Sequence, residues 1–155
     1  MYKENKKIFK KLNKILPIYI KSFPVNKYEL SKAILSNNLN LKKIVKVVHL
    51  EVRKKMKIFL RKNKNKRIVI LDIPLLLENK INNKKDVLVF VESKKLDILK
   101  RLKDRDNFNK KLYKKFKDIQ LPLSYKKKKS KFVIKNDFTN KSAKRAIKNI
   151  LNQII

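Results

Sequence analysis

The chain has 155 residues, a formal net charge of +33, a single histidine, and neither cysteine nor glycine. These counts fit one ordinary domain and exclude disulfides, thiolate metal sites and a multi-histidine zinc centre. They also exclude, within these residues, any glycine-built phosphate loop, which needs left-handed backbone or close approach of the main chain to its ligand.

The basic excess is dominated by lysine, travels with asparagine and isoleucine, and is spread along the whole chain. That pattern favours coding drift in an AT-rich genome over selection for a polyanion, although a positive field also speeds the capture of phosphate-bearing ligands. No long uncharged apolar run occurs and the N-terminus lacks the apolar core of a signal peptide, so a cytoplasmic protein is expected,.

Residues 5–16 set Ile8, Phe9, Leu12, Ile15 and Leu16 at helical spacing, and Pro17 ends the run,. Asn26, with Glu29 three positions on, reads as a capping box ahead of Leu30, Ala33 and Ile34, which predicts a short second helix,. Asn40 is the expected cap of a longer third helix, whose stripe Ile44, Val45, Val48, Val52, Met56 and Phe59 runs to about Arg61,. His49 lies beside that stripe, where a lone histidine is more often a packing residue than a catalyst,.

Arg67–Glu78 is the most apolar stretch. Ile68, Val69 and Ile70 open it, it is too short for a comfortable helix, and Pro74 stops any ladder, so a strand buried on both faces is predicted,. Asp72 stands at its end. A carboxylate there either faces a ligand, since open α/β sheets bind ligands beyond their strand carboxyl ends, or ties down the turn before Pro74. Asn79–Lys85 is a polar loop, and Asp86–Glu92 is a second continuous apolar strand,. No hairpin turn joins these strands to a neighbour, which favours parallel strands and crossovers.

Lys95–Lys103 is helical on Leu96, Leu99 and Leu102,. Arg101 and Arg105 fall four apart, on one face if the helix reaches that far. They are either part of a solvated, salt-bridged face or a pair that closes over phosphates with planar guanidinium forks. Asn109–Gln120 makes another helix, Tyr125–Lys131 is a lysine run, and Phe132-Val133-Ile134 is a third short strand. Asn136, Asp137 and Thr139 make a turn, and Thr139 or Asn140 caps a final helix with Ala143, Ala146, Ile147, Ile150, Leu151 and Ile154 inward,. The order is α/β, with a helical excursion between the second and third strands.

The blocks Leu71-Asp72-Ile73-Pro74-Leu75-Leu76-Leu77-Glu78, Asp86–Glu92, Arg101-Leu102 with Arg105-Asp106, Gln120, and Phe132-Val133-Ile134-Lys135-Asn136 follow one another at sensible spacing. Together they resemble bacterial dephospho-CoA kinases, with their D-x-P-L-L-x-E strand end, R-L-x-x-R-D lid, lid glutamine and closing V-I-x-N strand. Val48-His49 and Val52-Arg53 are similar to the family's V-H-P-x-V-R helix, with Leu50 in place of its proline.

The resemblance implies an α/β, P-loop kinase-like parallel sheet core with a helical acceptor-binding region and a helical lid. Residues 1–66 would be the acceptor (CoA)-binding region, 67–93 and 131–155 the α/β core, and 94–130 the lid. The implied reaction moves the γ-phosphoryl of ATP to the ribose 3′-hydroxyl of dephospho-CoA, the last step of coenzyme A biosynthesis, with Mg²⁺ bridging the phosphates. ATP and dephospho-CoA are the implied partners, with no membrane and no specific nucleic acid. At matched positions the resemblance implies catalytic lid roles for Arg105 and Arg101, and substrate-side roles for Asp72, His49 and Arg53. It implies a nucleotide-side role for Asn136, and no metal ligand among the residues present.

Two departures from the family stand out. Its opening strand, its G-x-x-G-S-G-K-S type loop and the acidic residue soon after, the expected catalytic base, have no counterpart here, a shortfall of roughly 30 to 40 residues by the size of half a βαβ unit. In the lid, Phe116 stands where the family often carries arginine, and Lys115 and Lys117 beside it supply charge without a bidentate fork,. The expectation is an N-terminally truncated, inactive chain whose strand from Arg67 is left at an open edge. A degenerate paralogue acting as a binding protein is the alternative. An independent nucleic-acid module ranks last, because the aromatics sit at core-like helical spacing rather than interleaved with lysine on one strand face.

Overall fold

Asparagine starts most of the helices. A computed structural model describes residues 5–155, and in it Asn5, Asn26, Asn37 and Asn109 each turn a side-chain oxygen onto a first-turn backbone N–H. Those bonds satisfy donors that a helix N-terminus otherwise leaves unpaired. They open α1 (Lys6–Ile15), α2 (Lys27–Ser36), α3 (Asn38–Lys62) and α5 (Lys110–Asp118). Thr139 does the same for α7 (Asn140–Ile154), while α4 (Lys95–Lys103) and α6 (Leu123–Lys129) start without a side-chain cap. The strands are β1 (Val89–Glu92) and β2 (Phe132–Lys135).

The chain divides into two units, Met1–Pro74 with Lys114–Phe116, and Leu75–Tyr113 with Lys117–Ile155. In the first, α1 and α2 both pack on α3. Ile8, Leu12 and Leu16 from the α1 stripe meet Ile20, Val25, Leu30, Ala33, Ile34, Leu41 and Ile44 in a buried apolar core. Asn40 is buried too, and it is not the cap of α3: its amide donates to the Ala33 carbonyl at 3.1 Å and to Ser36 Oγ at 2.9 Å. The capping role falls to Asn37, whose Oδ1 accepts from Asn40 N at 2.8 Å. Two asparagines thus tie the end of α2 to the start of α3. Glu29 does not close the expected box on Asn26. Its carboxylate instead accepts from Lys21 N, Ser22 N and Ser22 Oγ, which straps down the loop before α2.

In the second unit β1 and β2 pair in parallel, Val89 opposite Phe132 and Val91 opposite Ile134, and α7 packs on β2. Of the described buried apolar residues only Ile81 belongs to this unit. Asp86–Glu92 is therefore not the doubly buried strand that its unbroken apolar run predicts: only Val89–Glu92 pairs, and Val91 is 56% exposed. A two-stranded ribbon offers too little cover to bury both faces.

Arg67–Glu78 is the larger correction. Residues 68–73 carry no regular secondary structure and join no ladder, Ile70 is 82% exposed, and residues 74–80 coil into turns. A strand needs a partner, and β1 pairs with β2 rather than with this stretch,. The turn is well closed: Ile81 N donates to the Leu76 carbonyl and Lys80 N to that of Leu77, the two bonds of a Schellman cap with Lys80 left-handed at φ 49°,. Leu75 (φ 56°) and Phe138 (φ 64°) are left-handed as well. With no glycine in the chain, ordinary side chains take these positions at about 1–2 kcal/mol each,.

Candidate functional site

His49 and Arg53 sit one turn apart on α3, in the first unit. His49 is half-buried and its Nδ1 is enclosed without a hydrogen-bond partner among the described residues. Burial, and then the charge of Arg53, hold its pKa below the ordinary histidine value,. The imidazole is therefore neutral near pH 7 and has an unused ring nitrogen. Asp72 belongs to the same unit and lies exposed on the irregular stretch before Pro74.

The remaining candidates belong to the second unit. Arg101 lies in the last turn of α4, and Arg105 lies beyond it, because the helix stops at Lys103 with Asp104 as its C-cap. The two arginines therefore do not share a helical face. Arg105 is exposed in the turn after α4, where its N–H donates to the Leu102 carbonyl and its own carbonyl accepts from Phe108 N. Asn136 follows β2, donating its N–H to the Glu92 carbonyl at 2.7 Å and accepting from Phe138 N at its Oδ1. Next to it, Asp137 accepts from the N–H and Oγ1 of Thr139 and from Ser142 Oγ. The Ser142 hydroxyl, followed by the Thr139 donors, holds its pKa down to about 2,. This loop meets α4: the Arg101 guanidinium carbon stands 4.5 Å from the Phe138 ring centroid.

Lys115 does not supply the charge that a lid arginine would bring. Its ammonium donates to the Ile34 carbonyl at 2.9 Å and the Leu35 carbonyl at 3.4 Å, at the negative end of α2. Lys117 is exposed.

Sequence reasoning missed the pairing of Glu78 with Lys126. Glu78 Oε1 lies 2.6 Å from Lys126 Nζ and accepts from Leu121 N at 3.0 Å, with both side chains largely buried. Burial pushes the Glu78 carboxyl up, but the Lys126 ammonium and the backbone donors outweigh it and leave its pKa below the usual value. Nothing in a run of four lysines marks Lys126 as the one turned inward. The run itself is helical, as α6, which its lack of apolar periodicity conceals. Phe138 was also unmarked, although a chain without glycine must place some side chain wherever a turn goes left-handed.

Among the described residues no group of three or more His, Asp or Glu could hold a metal, and no helix is long and apolar enough to cross a membrane. Comparison with known proteins first places the chain among ATP-dependent kinases. The family model that matches, over residues 4–142, is described as dephospho-CoA kinase, and the chain belongs to that family. It is similar to the dephospho-CoA kinase of Wolbachia pipientis wMel, 29% identical over 156 residues, covering 99% of this chain and 80% of the relative. It is also similar to that of Bartonella quintana (strain Toulouse), 28% identical over 136 residues, covering 86% of this chain and 69% of the relative. A third relative of the same name, from Prochlorococcus marinus (strain NATL2A), is 30% identical over 126 residues, 81% of this chain and 59% of its own length.

Proposed function

We propose that these residues carry the acceptor-binding and lid parts of a dephospho-CoA kinase, acting in the cytoplasm, and that the phosphate cradle of that kinase lies outside them. The reaction is transfer of the ATP γ-phosphoryl to the ribose 3′-hydroxyl of dephospho-CoA. The observation that carries the reading is the coexistence of the family's blocks, in order, with a complete absence of glycine. In phosphoryl transfer the protein chiefly positions the reactants and offsets charge on the transferring group. Arg105 and Arg101 would present guanidinium forks to phosphate oxygens, and Lys115, committed to α2, would not,. His49 and Arg53 would line the acceptor side in the helical region 1–66. Asp72 would hold an acceptor hydroxyl, and Asn136 would shape the loop next to the base. Mg²⁺ would come on the ATP phosphates rather than in a protein cage, as it commonly does.

The stretch 68–73, which joins no strand ladder and leaves Ile68 and Ile70 exposed, supports the reading that the sheet of the working kinase contains a further strand. Reading the DNA upstream of Met1 in frame tests this. A Gly-rich loop ending in Gly-Lys-Ser or Gly-Lys-Thr is expected. An in-frame stop codon immediately before Met1 contradicts it and favours a degenerate paralogue that keeps the fold for binding alone.

A further inference from the structure

Arg101 borders an open depression of about 330 Å³ walled by Asp97, Lys100, Arg101, Asp104, Asp137 and Phe138. With three carboxylates on that wall, electrostatics favours an ion pair for the guanidinium. Among the described residues Arg101 forms none. Asp137 is occupied by Thr139 and Ser142, and Arg101 rests over the Phe138 ring instead. A guanidinium attracted by a ring quadrupole spends none of its N–H donors on a carboxylate.

The Phe138 backbone is left-handed at φ 64°, a region that glycine enters freely and a bulky side chain does not,. Its N–H is held by Asn136 Oδ1 at 2.9 Å, so the turn fixes where the ring stands. We propose that Phe138 is a positioning residue. Its ring holds Arg101 at the edge of the depression and keeps the N–H fork open to the oxygens of a polyphosphate ligand. This rests on the reading of Arg101 as a phosphate-facing group.

The test is side-chain NMR of Arg101 Nε–Hε in the 155-residue chain, titrated with inorganic tripolyphosphate. In the unaltered chain the resonance is displaced upfield by the ring and moves as tripolyphosphate is added. Phe138→Leu removes the displacement and raises the titration midpoint about two- to fivefold, whereas Phe138→Tyr keeps both. Phe138→Gly separates the roles: it relieves the backbone, so a purely structural role leaves the midpoint equal or lower, while a platform role raises it. If Arg101 does not respond in the unaltered chain, its phosphate-facing role falls and the proposal falls with it. If it responds and the Leu and Gly variants share the unaltered midpoint, the proposal alone is overturned.

Discussion

Asp137 shows how an exposed carboxylate acquires a marked environment from local bonds alone. The hydroxyls of Ser142 and Thr139 and the Thr139 N–H all point at it, and they stabilise the charged form. Because its folded pKa, about 2, lies below the ordinary 3.8, its contribution to stability is present above about pH 3.8 and is lost as pH falls through 2. Carboxyl NMR should give a midpoint near 2 that rises toward 3.8 in Ser142→Ala. A midpoint of 3.8 in the unaltered chain would contradict the geometry. Lys80 makes the converse case, a side chain where the backbone favours glycine. Lys80→Gly should raise unfolding stability by about 0.5–1 kcal/mol, because the left-handed penalty outweighs the entropy that glycine adds to the unfolded chain. A loss of stability on urea unfolding would show that the lysine side chain matters there.

At the scale of elements, the described helices other than α6 were legible because their signals are local. The cap at Asn26, apolar stripes, and prolines after the ends all lie within a few residues of what they specify. Asn40 misled because two asparagines compete at the start of α3, and only packing against α2 decides which caps and which is buried. The stretch 67–78 misled for a different reason. Apolar, β-branched sequence reports a preference for a sheet, but a strand exists only where a ladder partner stands beside it. Burial follows the same logic. Leu12 is fully buried between helices, so Leu12→Ala should cost about 2–5 kcal/mol,. Val91→Ala, on the exposed ribbon, should cost no more than about 1 kcal/mol,. Equal losses in urea unfolding would contradict this division of the core.

At the scale of the molecule, nearly all of the described apolar core lies in the first unit, which holds His49, Arg53 and Asp72, while the second holds Arg101, Arg105 and Asn136. The candidate site residues rest on family spacing rather than on chemistry: a pattern of charges cannot distinguish a solvated arginine from one that meets phosphate. Zero glycine, by contrast, could be read directly and constrains function most, since backbone amides cannot wrap a triphosphate without residues that tolerate the turn,. The most direct measurement is an assay of the purified 155-residue chain with ATP, Mg²⁺ and dephospho-CoA. The proposal that the phosphate cradle lies outside these residues predicts no ATP-dependent formation of coenzyme A, and activity once a Gly-rich loop segment is joined to the chain. Measurable turnover by the 155 residues alone would contradict it.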